Sequence, residues 1–180
     1  MDFTPDTTVN KIILLFILDK MEIPLTENNL IDICTSRNNW LNYMECKEIL
    51  SQLTDVGFIF VNDGEDKRYG LTYDGRNCLT HFFTRIPQSL REDITNFCRD
   101  NRMIFKRSQE YVSDYHKNND GSHAVVLKIK EPLVDKPLLE IKLKAPTRHS
   151  AIVACKKWKD LAPTVFENLY ETFIETEDNE

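Results

Sequence analysis

The sequence predicts an α+β protein in which helices and short antiparallel strands occupy separate blocks of the chain. Three observations point to this class. Apolar residues recur at helical spacing through the first 56 residues, two strand-like runs follow around Asp63-Gly64, and two alternating runs follow the polar stretch 118–123. The predicted order is three helices, a β-hairpin, a fourth helix, a long connecting helix and a β-β-α-α module. With 180 residues, of which 41% are hydrophobic, the chain is large enough to bury a real core.

The first three helices are predicted from apolar spacing and from the residues that cap them. Residues 9–21 are apolar almost all round and contain neither Pro nor Gly, so they predict a buried first helix. Thr26 is expected to cap a short second helix that ends in the polar stretch 37–39. Asn42 begins the third helix, because a glutamate follows it three residues later as in a capping box, and Gly57 ends that helix. The inward face of the third helix is predicted to hold Cys46, Leu50 and Leu53.

A β-hairpin and a fourth helix are predicted to follow. The runs 58–61 and 68–71 are strand-like, and the dipeptide Asp63-Gly64 between them accepts the positive φ that a tight hairpin turn requires. Thr72 is expected to cap the fourth helix. Gly75 in its first turn would let that helix pack closely on its neighbour.

This element order, together with two short phrases, resembles the winged helix-turn-helix domains of bacterial transcriptional regulators, including the MarR-like and PadR-like groups. Residues 50–59 read L-x-x-L-x-x-x-G-F-I, and residues 69–79 read Y-G-L-T-x-x-G-x-x-x-L. The whole chain also resembles a bacterial family of winged-helix regulators that is catalogued as a domain of unknown function. The resemblance implies a winged-helix domain at residues 1–87, with the third helix in the major groove of DNA and the hairpin on the DNA backbone.

Residues 88–118 are predicted to form a long connecting helix. Residues at steps of four and three define a heptad-like seam about 26 residues long, or roughly 39 Å. The members of this seam are Leu90, Ile94, Phe97, Asn101, Ile104, Ser108, Tyr111 and Tyr115. A lone buried Asn, here Asn101, can set the register between two like helices, so we expect a homodimer through this helix and also through the C-terminal module. Packing of the wide apolar face within its own subunit is the equal alternative.

Residues 119–180 are predicted to form the C-terminal β-β-α-α module. Two alternating runs, at 125–130 and 139–144, predict an antiparallel strand pair, and two helices are expected at about 147–161 and 163–174. Four lysines are expected on the outer face of the strand pair, namely Lys128, Lys130, Lys142 and Lys144. Such a face could bind an anion, but lysines on a short sheet also protect its edges against aggregation.

Several classes of function are disfavoured by what the sequence lacks. There is no Gly-rich phosphate loop, no G-x-S-x-G and no H-E-x-x-H, so we expect neither an enzyme nor a bound cofactor. The four histidines are dispersed, which disfavours a metal site. The five cysteines show no C-x-x-C spacing and are expected to be reduced thiols. The N-terminus resembles neither a signal peptide nor a membrane span, so we expect a cytoplasmic protein.

The charge distribution limits the candidate DNA contacts. Residues 1–86 carry eight Lys and Arg against thirteen Asp and Glu, within a chain of formal net charge −6, whereas a strong duplex binder usually has a basic footprint. Salt screens charges that lie more than about 8 Å away, so the local field matters more than the net charge. On the third helix, Tyr43, Lys47 and Ser51 are expected to read bases. Near the turn and on the hairpin, Arg37, Lys67 and Arg68 are expected to contact phosphates, with a solvated turn as the alternative for the last two.

The sequence therefore predicts a transcriptional regulator that acts as a homodimer on double-stranded DNA in a bacterial cytoplasm. The alternative is a winged-helix scaffold that binds a protein partner through its acidic surface and does not contact DNA. Basic residues on the third helix would separate the two hypotheses, and Lys47 is the only one there.

Overall fold

The computed structural model describes residues 7–62, 67–131 and 136–174, and it confirms the α+β class. The chain divides into two compact units, Met1–Lys106 and Arg107–Glu180. The predicted hairpin turn at Asp63-Gly64 lies outside the described residues. Within the three described ranges, no helix is both long enough and apolar enough to cross a membrane.

The first unit contains the elements expected from the capping and spacing patterns, with one additional strand. Its elements are α1 (Thr7–Met21), β1 (Leu25–Thr26), α2 (Glu27–Asp32), a π-helical turn (Ile33–Arg37), α3 (Tyr43–Asp55), β2 (Ile59–Val61), β3 (Arg68–Leu71), α4 (Tyr73–Phe82), a 3₁₀ turn (Phe83–Arg85) and most of α5 (Gln88–Glu110). The predicted caps are in place. Asn42 Oδ1 accepts from the Glu45 backbone N–H at 2.9 Å, and Thr72 Oγ1 accepts from the Gly75 N–H at 3.0 Å.

The core of the first unit surrounds α1, which is buried along most of its length. Leu14 and Ile17 are fully buried, as expected for a helix that is apolar almost all round. The predicted inward face of α3 is confirmed. Its buried residues are Cys46, Ile49, Leu50 and Leu53. From α5, the residues that join this core are Leu90, Ile94, Phe97, Cys98 and Phe105.

β1 is a strand that the sequence did not reveal, and it makes the first sheet three-stranded in the order β1-β3-β2. All of its pairings are antiparallel, with Leu25 opposite Tyr69 and Ile59 opposite Leu71. Because β1 lies between α1 and α2 in the chain, this pairing attaches the start of α2 to the hairpin. A two-residue strand is too short to show an alternating pattern, so β1 could not be predicted from the spacing of its residues.

The long helix is shorter than predicted. The helix α5 ends at Glu110, and the segment Tyr111–Lys117 forms a strand, β4, so the prediction of helix through residue 118 is wrong. Tyr111 and Tyr115 were assigned to the heptad-like seam by their spacing of four, which also places two residues on the same face of a strand. The choice between helix and strand is decided by long-range pairing, because every residue of β4 pairs with a residue in the segment 123–129.

The second unit is a three-stranded antiparallel sheet covered by one helix. Its elements are β4 (Tyr111–Lys117), β5 (His123–Lys130), β6 (Pro137–Ala145) and α6 (Arg148–Phe173), and the strand order is β4-β5-β6. On β5, Val125, Leu127 and Ile129 are buried in one core with Trp158 and Ala162 of α6. The Trp158 Nε1–H donates to the Lys128 carbonyl at 3.1 Å and ties the helix to the central strand.

The prediction of two C-terminal helices is wrong. The single helix α6 is 26 residues long and continues through Pro163 without a break. A proline inside a helix removes one backbone hydrogen bond and costs about 3 kcal/mol. Here Ala162 is fully buried before the proline, and Phe166 packs on the sheet core after it. Burial on both sides of Pro163 holds the two halves of the helix on one sheet face and offsets that cost.

Candidate nucleic-acid interface

The helix α3 presents one polar and aromatic face to solvent, opposite its buried face. The exposed residues are those expected from a 100° helical step, namely Tyr43, Met44, Lys47, Glu48, Ser51 and Asp55. Tyr43 is 53% exposed and Met44 is 74% exposed. These two side chains give the face an apolar part beside its polar residues.

The turn before α3 is fixed by backbone hydrogen bonds. Asn39 adopts a left-handed conformation with φ of 52°, which asparagine tolerates better than most residues. The Asn39 N–H donates to the Thr35 carbonyl at 2.8 Å, and the Trp40 N–H donates to the Cys34 carbonyl at 2.9 Å. These bonds end the π-helical turn after α2 and set the direction in which α3 begins.

Lys47 on α3 is paired with an acid on α2. Its Nζ lies 2.8 Å from Glu27 Oε1, and this hydrogen bond is the main reason that the pKa of Lys47 is raised. Tyr69 on β3 lies close to the same carboxylate. Burial raises the pKa of Tyr69, and the negative charge of Glu27 raises it further. Glu27 therefore raises the pKa of a lysine on α3 and of a tyrosine on the hairpin.

Arg37 is held in a similar way at the end of the π-helical turn. Its Nε lies 2.5 Å from Asp32 Oδ2, and its guanidinium stacks over the Phe105 ring at 5.2 Å from the ring centre. Asp32, like Glu27, belongs to α2. Arg37 beside the turn and Lys47 on α3 are thus each paired with an acid of α2, and neither presents an uncompensated charge.

The two predicted phosphate contacts on the hairpin differ from each other. Lys67 is exposed, as expected, although the neighbouring residues 63–66 lie outside the described part of the chain. Arg68 is only 3% exposed, so the expectation of an exposed Lys-Arg pair is wrong. The reason is the unpredicted strand β1: Arg68 begins the central strand β3 and lies opposite Thr26, with β2 on its other side. A buried Arg68 is not available to phosphate in this conformation.

The comparison with protein families concerns nearly the whole chain. A family model described as a domain of unknown function, DUF4364, matches residues 10–173. The chain belongs to this family. No curated protein and no solved structure gives a significant match. The DUF4364 match confirms the expected resemblance to a family of uncharacterised function and leaves the MarR-like and PadR-like resemblance as a prediction.

The lysine face of this DUF4364 protein lies on the second sheet. The strand register places Lys128, Lys142 and Lys144 on the side opposite the buried Val125 and Leu127, as predicted. Glu140 lies among them.

Ion pairs compensate most of the charge on this lysine face. Glu140 contacts Lys142 and Lys128, each at 3.0 Å, and these two lysines hold its pKa below the usual range. Lys144 contacts Asp120 at 2.5 Å, and this contact is the main reason that the pKa of Asp120 is lowered. The ion pairs favour the edge-protecting role of these lysines over an anion site.

A metal site requires several His, Cys, Asp or Glu side chains close together. In the described ranges, no three His, Cys, Asp or Glu side chains come together in an arrangement that could hold a metal ion.

Proposed function

We propose that this DUF4364 protein is a transcriptional regulator that binds double-stranded DNA through a winged-helix domain in its first unit. The observation that carries the proposal is the exposed polar and aromatic face of α3 beside the hairpin β2–β3, with both elements packed on one core. The three-stranded sheet supports the same interpretation, because β1 ties the α2–α3 segment to the hairpin. In this proposal α3 enters the major groove and the hairpin is the wing.

The contacts that we propose follow from exposure. Tyr43, Lys47 and Ser51 are exposed on α3 and would reach base edges. Lys67 would contact the backbone from the wing, and Arg37 would contact it beside the turn. Arg68 is not part of the proposed surface, because it is buried.

The acids of α2 determine how such an interface would behave. Lys47 and Arg37 must leave Glu27 and Asp32 before they can contact DNA, and both carboxylates would then lie near phosphates. Exposed ion pairs of this kind are worth about 0–1 kcal/mol, so contacts with DNA can replace them at little cost. The remaining repulsion predicts modest affinity, and the small number of phosphate contacts predicts a shallow dependence on salt, with a slope of about 0.9 per contact.

Removing the Glu27 charge tests this proposal directly. Glu27→Gln should free Lys47 and raise duplex affinity, more for the chain's own upstream region than for a shuffled duplex, because Lys47 is proposed to reach base edges. Lys47→Ala should lower affinity, and in a Lys47→Ala background the Glu27→Gln gain should disappear. Fluorescence anisotropy between 50 and 200 mM salt, with the chain's own upstream region and a shuffled duplex, measures these effects.

Asp55→Asn is the matched control. It removes the same charge from the exposed end of α3, where Asp55 makes no ion pair with a described residue. We expect a smaller gain in affinity, equal for the two duplexes, because this change frees no base-contacting residue. If Asp55→Asn and Glu27→Gln raise affinity equally, the gain reflects net charge and not the release of Lys47.

A homodimer is part of the proposal, although its surface differs from the predicted seam. Asn101 donates through Nδ2 to the Phe97 carbonyl of its own helix at 2.9 Å, so it is not needed to set the register of a partner. In the second unit, Phe173 is 76% exposed at the end of α6, and Leu143 is half exposed on the helix-covered side of β6. A two-fold pair would let each copy cover the apolar surface of the other.

Light scattering tests this assembly. We expect twice the chain mass of 21.1 kDa at micromolar concentration. Phe173→Asp should shift the protein to monomer, whereas Ile104→Asp, on the exposed side of α5, should not. A wild-type monomer would refute the homodimer, and a monomeric Ile104→Asp variant would move the interface to α5.

A protein-binding scaffold is the second candidate, and the exposed Tyr43 and Met44 beside two neutralised cations favour it. Such a surface suits a partner with an apolar patch, since aromatic and methionine side chains are enriched in protein interfaces. The anisotropy experiment separates the two candidates. If the wild-type protein binds no duplex at 50 mM salt, DNA binding is refuted and the scaffold is the better account.

A further inference from the structure

The first unit contains an open cavity of about 680 Å³ on the side formed by α1, α4 and the start of α5. Its walls combine apolar and cationic side chains, the main ones being Phe16, Leu79, Phe83, Lys20, Arg76 and Arg91. Neither α2, α3 nor the hairpin contributes to it, so it is separate from the proposed DNA surface. Its volume lies in the range of about 300–1,000 Å³ typical of small-molecule sites.

The charges in this cavity are unevenly compensated. Asp19 forms ion pairs with two of the cations in the cavity wall, Lys20 at 3.1 Å and Arg76 at 2.9 Å. The other acid in the wall, Glu92, accepts a hydrogen bond from the Gln88 amide at 2.8 Å. Neither acid pairs with the third cation, Arg91.

Arg91 is the unusual residue of the cavity. Its guanidinium lies over the Phe83 ring at 5.3 Å, and it makes no hydrogen bond or ion pair with any residue that the structure describes. Its Nε is fully buried and has no acceptor. The other two guanidinium nitrogens are not among the buried atoms without a partner, and Arg91 as a whole is half-buried, so these two nitrogens are the donors that a molecule in the cavity can reach. An anion bound in the cavity would pair with these two nitrogens, which no acid of the described residues neutralises.

We propose that this cavity binds a small organic anion with an apolar body. The anionic group would pair with the Arg91 guanidinium, whose planar arrangement of donors suits carboxylate, sulfonate and phosphate oxygens. The apolar body would lie against Phe16 and Leu79. A purely inorganic anion would leave these apolar walls wet, and a neutral apolar molecule would displace water from the Arg91 guanidinium without supplying acceptors in its place.

This inference goes beyond the proposed function and does not depend on it, because it concerns a different face of the first unit. A ligand in the cavity would join α1, α4 and α5 and would raise the melting temperature of the unit by mass action. The site therefore gives the protein a means of responding to a small molecule.

A pair of probes that share one ring system and differ in charge tests the inference on the wild-type protein. Naphthalene-2-sulfonate is anionic at pH 7, whereas naphthalene-2-sulfonamide is neutral and nearly the same size. Isothermal titration calorimetry should give one sulfonate site per chain, with the sulfonamide at least about tenfold weaker, which corresponds to about 1.4 kcal/mol. Equal affinity for the two probes, or no sulfonate binding at millimolar concentration, would overturn the proposal.

Variants assign the effect to Arg91. Arg91→Met should weaken sulfonate binding at least about tenfold and leave sulfonamide binding unchanged. The matched control Arg99→Met removes an exposed arginine of the same helix that is paired with Asp100, outside the cavity, and should bind both probes as the wild type does. Unchanged sulfonate binding by Arg91→Met overturns the proposal. Inorganic phosphate at 10 mM should not displace the sulfonate, and full displacement would refute the apolar half of the site.

Discussion

Replacing Gly75 by alanine should destabilise the first unit strongly, because the first turn of α4 lies against backbone. A Cβ added at Gly75 would lie 2.1 Å from the Phe58 carbonyl oxygen and 2.9 Å from Leu71 Cδ1. Ordinary contacts between an aliphatic carbon and a carbonyl oxygen are about 3.3 Å or longer, so α4 or the carbonyl must move by more than about 1 Å. The carbonyl is not free to move, since it accepts from the backbone N–H of Thr72 at 3.1 Å and shares the Thr72 hydroxyl, also at 3.1 Å, with the Gly57 carbonyl, which lies 2.8 Å from that hydroxyl.

The magnitude follows from these contacts. Overpacking of a well-filled site costs about 1–3 kcal/mol, and weakening the two Thr72 hydrogen bonds costs about 1 kcal/mol each. Alanine recovers up to about 1 kcal/mol over glycine inside a helix. We therefore expect a net loss of about 2–4 kcal/mol in the free energy of unfolding, measured by urea denaturation followed by circular dichroism.

Two other glycines provide the controls. At Gly70 an added Cβ would meet the outer atoms of the Phe60 ring, which can rotate away, so Gly70→Ala should cost less. At Gly57 there is open space but φ is 77°, and a left-handed alanine costs about 1–2 kcal/mol. If Gly75→Ala unfolds at the same urea concentration as the wild type, or costs no more than Gly57→Ala, the close approach of α4 to the hairpin is wrong.

Three further predictions concern a cap, a buried indole and a buried thiol. Asn42→Ala should cost about 1 kcal/mol by removing the cap of α3, whereas Asn42→Asp should be nearly neutral, as chemical denaturation can show. Trp158→Phe should cost about 1–3 kcal/mol, because it leaves the Lys128 carbonyl without its indole donor, and melting of the second unit measures this. Burial raises the pKa of Cys98 to about 12 from its ordinary value of 9.0, so the folded state keeps a proton that the unfolded state loses. Stability should therefore fall between pH 9 and 12 by up to about 1.4 kcal/mol per pH unit from this thiol, a slope that should disappear in Cys98→Ala.

Local signals in the sequence were sufficient for the helices α1 to α4. Asn42 and Thr72 are caps because their side-chain oxygens accept from the N–H groups three residues on, and this depends only on neighbouring residues. The inward face of α3 follows from spacing alone, and so does the exposure of Tyr43, Lys47 and Ser51.

Features that depend on distant residues could not be predicted in the same way. The burial of Arg68 depends on β1, which lies about forty residues earlier and is too short to show a pattern. The change from α5 to β4 depends on pairing with β5, since Tyr111 and Tyr115 fit either period. The Lys47–Glu27 pair joins α3 to α2 across the turn, so a count of charges on α3 overstates its free positive charge.

The direct passage from α5 at Glu110 into β4 at Tyr111 determines where the chain can be cut. A fragment that begins at residue 119, where the polar stretch 118–123 invites a boundary, would lack β4 and retain two strands. Two strands alone are marginal in water, and β5 would then expose a full edge of unpaired backbone groups, which promotes aggregation. Expression of the C-terminal unit by itself must therefore begin before residue 111, even though that places several residues of helix at its start.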